Sequence, residues 1–127
     1  MASASIQAQL LVARLQLQEQ RVFTVARQLA EAQTALAAIR QEISSERARV
    51  RQLEDAATRA TGQNQVGMRQ AIVDASNQIE LQQRHELQLQ ARETELLKAG
   101  SEAQGQWSDF SDRLDTIARS LPASVSR

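Results

Sequence analysis

The stretch TRATGQNQVGMRQ, residues 58–70, interrupts a chain that otherwise reads as helix almost throughout. It holds two of the four glycines, Gly62 and Gly67, with Asn64 between them. Glycine and asparagine supply positive φ at low steric cost, so this is where the backbone can reverse. The hydrophobic period on either side decides whether it does.

Before the stretch, one heptad frame holds from residue 4 to 57. Its a positions are Ala8, Leu15, Val22, Leu29, Leu36, Ile43, Val50 and Ala57, and its d positions run from Ala4 through Leu11, Gln18, Val25, Ala32, Ile39 and Glu46 to Leu53. An apolar seam this long at period 3.5 is the mark of a coiled coil. A second frame runs from Met68 to Leu121 with Ile72, Ile79, Trp107 and Leu114 at a and Ala75, Leu89, Leu96, Phe110 and Ile117 at d. Its middle is poorer, with Gln82, Glu86, Glu93 and Gly100 on the seam. The frames do not join in phase: the first would place its next a residue at Asn64, the second at Gln65. In one continuous helix that skip would turn the stripe by about 100°.

Two arms of about 54 residues, each roughly 80 Å when helical, a phase slip and a polar, glycine-bounded break predict an antiparallel helical hairpin. The expected organisation is one domain over 1–127. Helix one spans about 4–58, the turn 59–67 and helix two 68–120, with a tail at 121–127. Pro122 gives the stop, because the residue before a proline is pushed out of helical geometry. A lone alanine-rich hairpin is marginal, so association into a dimeric four-helix bundle is expected. The competing arrangement is one near-continuous helix pairing with other chains. In outline the hairpin resembles the coiled-coil hairpins of the type III secretion export apparatus, among several bacterial families sharing this architecture without a diagnostic motif.

Composition agrees with an all-α class. Tyrosine and cysteine are absent and aromatics make up 2% of the chain, which leaves little to build a strand core. Fifteen basic residues balance fifteen acidic ones, so the basic excess that drives nucleic-acid binding is missing. Fourteen of those basic residues are arginine, a bias that a GC-rich bacterial genome would produce. Without cysteine there is no disulfide, thiolate metal site or thiol nucleophile. No run reaches spanning length, and the opening MASASIQAQLLVARLQ lacks the charged start and apolar core of an intact signal peptide. An exported chain already stripped of its signal would read the same, which leaves the compartment open between cytoplasmic and exported.

With facing residue numbers summing to about 128, the first twenty-five residues should lie beside the last twenty-five. That open end carries more apolar surface than one seam uses. Ile6, Leu10, Val12, Leu17 and Phe23 fall outside a and d, while Trp107, Phe110 and Leu114 supply the bulkiest seam residues. Leu10, Leu17, Phe23, Trp107, Phe110 and Leu114 are therefore the candidate interaction residues. The turn end looks leaner, with Ala57, Ala60 and Ala71.

Catalytic and metal chemistry find no constellation. His85 is the only histidine and falls on a helix flank opposite Glu42, where a solvated or salt-bridged role is expected. The Glu-x-x-His pattern of di-iron bundles is absent. Asp109, Asp112 and Asp115 lack the glycine turn and closing Glu of a calcium loop, and are expected to pair as Asp109–Arg113 and Asp115–Arg119 at i,i+4. No cofactor, small-molecule substrate or enzymatic activity is expected. The expected partners are a second copy and other proteins, in a spacer or adaptor role. The alternatives are a peripheral membrane or lipid-surface binder, disfavoured by the few cations of the N-terminal arm, and a chaperone-like clamp.

Overall fold

The computed structural model of the protein describes residues 2–120, with side chains described from residue 5 onward. Two α-helices, α1 (Ala2–Arg59) and α2 (Gly62–Ser120), pack antiparallel as an all-α hairpin. The reversal is much tighter than expected. Only Ala60 and Thr61 lie between the helices, and helix two begins six residues before the expected position 68.

One left-handed residue is enough for this turn. Gly62 has φ of 63°, and no other described residue has positive φ. The end of α1 is closed by the Ala60 amide donating to the Ala56 carbonyl at 3.0 Å. The Gln65 side chain reaches back and donates to the Ala57 carbonyl at 3.2 Å. That carbonyl is among the last four of α1, which have no partner within the helix. Asn64 and Gly67 are simply taken into α2. Continuing a helix through a glycine costs about 1 kcal/mol, and further turns that extend the paired seam offset that.

The packing divides into two compact units. The terminal unit joins α1 up to Leu29 with α2 from Glu95, and the turn unit spans Ala30–Thr94. In the turn unit Leu36, Ile39 and Ile43 form the core, with Ile79 and Leu89 packed against them. In the terminal unit Val25, Leu96 and Ala103 are buried. Every described a and d position of both frames is buried or half-buried. Ala4, Leu121 and the expected stop at Pro122 lie outside the described side chains.

The register is displaced from the expected one. In the terminal unit Gln18 hydrogen-bonds Gln106, and a Cβ on Gly100 would sit 3.5 Å from Val25 Cγ1. In the turn unit Arg40 bonds Glu86 at 3.2 Å. In these pairs the α1 residue meets a partner two to four positions earlier on α2, because the hairpin is centred at residues 62–63 instead of Asn64. His85 is accordingly exposed and joined to nothing among the described residues, while its neighbour Glu86 takes the ion pair.

The polar seam of α2 is tolerated because α1 supplies the bulk: its Leu36, Ile39 and Ile43 are buried in the same unit. One polar atom is left over. Gln82 Oε1 is buried and accepts no hydrogen bond among the described residues. An unpartnered buried acceptor costs about 1–3 kcal/mol. Gln82→Leu is therefore expected to raise the unfolding free energy by about 1–2 kcal/mol, read as a higher urea midpoint at unchanged slope. A lower midpoint would mean the amide is satisfied by its surroundings.

Candidate interaction surface

The α1 residues expected to lie outside the seam are all exposed. Leu17 is 65% and Phe23 is 80% accessible, and Ile6, Leu10 and Val12 are exposed with them. Of the candidate residues on α2, Trp107, Phe110 and Leu114 are half-buried on the seam. The indole of Trp107 donates a long hydrogen bond of 3.4 Å to Glu19. The guanidinium of Arg113 sits 5.9 Å from the Phe110 ring centroid, within cation–π range. The expected Asp109–Arg113 and Asp115–Arg119 pairs do not form among the described residues. In a solvated setting such a pair is worth only a few tenths of a kcal/mol, and the ring draws Arg113 aside.

These residues do not make one patch. At about 100° per residue, Leu10 and Leu17 fall on one flank of the α1 seam and Phe23 on the other. The surface grooves follow the same division. Leu10 shares an open groove with Arg14, Arg113 and Ile117, and Leu17 shares one with Arg14, Gln106 and Phe110. Phe23 instead lines a groove with Glu19, Val22, Gln104 and Trp107. That flank continues into a shallow trough past Ala26, Leu97 and Gly100. Gly100 has no side chain to fill the trough, and a Cβ there would meet Val25 Cγ1 at an ordinary 3.5 Å.

Apolar exposure extends beyond the residues singled out from the sequence. Val66, Val73, Leu81, Leu87 and Leu97 of α2 are all more than half exposed, the first four in the turn unit and Leu97 in the terminal unit. Val66, Val73 and Leu87 share one position of the second heptad frame, and that recurrence was the signal available.

No group of three or more His, Asp or Glu side chains among the described residues could hold a metal ion. No helix among them is long and apolar enough to cross a membrane. Arg47, Arg49 and Arg51 are exposed, with Arg49 turned to Glu46 at 3.8 Å. Comparison with protein-family models, with curated proteins and with solved structures returns no match to this chain.

Proposed function

We propose that the chain is a non-enzymatic structural or protein-interaction module, a helical hairpin that self-associates and serves as a spacer or adaptor. The observation that supports this reading is the exposure of Leu17 and Phe23 on a helix whose seam is already filled. Burying a leucine contributes about 1.5–3 kcal/mol, and the run of Ile6, Leu10 and Leu17 exposed along one flank of α1 is apolar surface of the kind that marks an interaction site. A dimeric four-helix bundle is the smallest assembly that covers one flank.

Sedimentation velocity over a hundredfold range of concentration tests the reading. Wild type is expected to exceed the mass of one chain. Leu17→Glu is expected to weaken association by at least tenfold, since tenfold corresponds to about 1.4 kcal/mol and the substitution removes more than that. A variant that sediments like wild type, at unchanged helicity, would remove Leu17 from the interface and with it the main support for self-association.

A further inference from the structure

We infer that the terminal unit associates head to tail, the outer apolar stripe of α1 in one copy seating in the trough beside Gly100 of the next. The inference rests on the self-association proposed above and specifies its geometry.

Ile6, Leu10, Ala13 and Leu17 recur at spacings of four, three and four. At about 100° per residue they fall within an arc of roughly 60°, a second apolar stripe distinct from the seam. All four are exposed. The opposite flank presents a recess instead of a ridge. There Phe23 and Trp107 stand at one end, Leu97 and Ala26 further along, and Gly100 leaves a gap between them. A ridge of branched side chains and a trough emptied by glycine are complementary shapes, as in the packing of helix ridges into grooves.

Charge follows the same pairing. The stripe is bordered on α1 by Arg14 and Arg21, one heptad apart, and Arg14 lines both grooves on that flank. The trough is bordered by Glu19, which lines the Phe23 groove. A basic ridge against a basic ridge would repel, whereas a basic ridge against an acidic trough attracts and fixes register. The two faces also point away from each other. A two-fold contact would cover one face and leave the other bare, while one head-to-tail contact repeated from copy to copy covers both.

Charge reversal in two variants tests this on the full chain. One carries Arg14→Glu with Arg21→Glu, the other Glu19→Lys. All three positions are exposed, so both variants should keep wild-type helicity by circular dichroism. Light scattering after size exclusion is expected to give wild type a mass of three chains or more, rising with concentration. Each variant alone should fall to a single chain, a drop of at least threefold, and an equal mixture of the two should recover the wild-type mass. Recovery on mixing is the distinctive result, because only unlike faces regain opposite charge. A wild type fixed at two chains overturns the head-to-tail geometry and leaves self-association standing. A wild type that stays a single chain overturns both, and its flotation with anionic vesicles would assign the faces to a lipid surface. Variants that assemble alone, or a mixture that does not, also overturn the inference.

Discussion

Leu36→Ala is expected to lower the unfolding free energy by about 3 kcal/mol. Leu36 is 2% exposed and stands with Ile39 and Ile43 at the centre of the turn unit, with Ile79 and Leu89 against them. Truncation removes the transfer free energy of the lost methyl groups and leaves a cavity that two facing helices close only in part. A domain of this size is held by about 5–15 kcal/mol, so the loss is a large fraction of the whole. The same substitution at Leu81, which is 58% exposed, is expected to change stability by less than about 0.5 kcal/mol. Urea unfolding followed by circular dichroism, at one protein concentration because association adds to apparent stability, measures both. Similar losses at the two positions would mean the buried cluster does not hold the turn unit together.

The second large effect is a change of sign among the glycines. Gly67 and Gly105 lie inside α2 with no atom within 4 Å of a built Cβ, and at Gly100 the nearest is Val25 Cγ1 at 3.5 Å, an ordinary contact. Alanine at each should gain about 0.8–1 kcal/mol of helix propensity. The triple variant Gly67→Ala, Gly100→Ala, Gly105→Ala is thus expected to be about 2–3 kcal/mol more stable than wild type. Gly62 also has open space around it but adopts φ of 63°. A side chain there meets the backbone strain of the left-handed region, about 1–2 kcal/mol, so Gly62→Ala should destabilise. Thermal unfolding of the four single variants separates the cases. A stabilised Gly62→Ala would mean the turn does not use the left-handed residue. The inferred ridge-into-trough contact adds a cross-check. Gly100→Ala partly fills the trough, so it should loosen assembly while it stabilises the hairpin.

The seam was legible because helix packing writes it into the sequence at a fixed period. Leu36, Ile43, Val25 and Leu96 are buried where the heptad frames put them. The turn was not legible at the same level. Asn64 and Gly67 have turn chemistry, but taking them into α2 extends the paired seam, and only Gly62 performs the reversal. The hairpin is centred one to two residues before Asn64, which shifts facing pairs such as Arg40 and Glu86. For the surface, the sequence identified Leu10, Leu17 and Phe23 as surplus to the seam. It did not distinguish flanks, because membership outside a and d says nothing of direction. The angle of each residue around α1 separates Phe23 from the leucines.

The connection between the helices has a further consequence. With only Ala60 and Thr61 between α1 and α2, a modest change at Gly62 would let the two fuse into one uninterrupted helix, and two chains could then exchange arms. Short connections of this kind invite such exchange. The one-residue slip between the heptad frames opposes it. In a fused helix the apolar stripe of α2 would be turned about 100° from that of α1, so an exchanged pair could not align both stripes without unwinding. The mismatch that first marked residues 58–70 therefore guards the hairpin against intermolecular arm exchange.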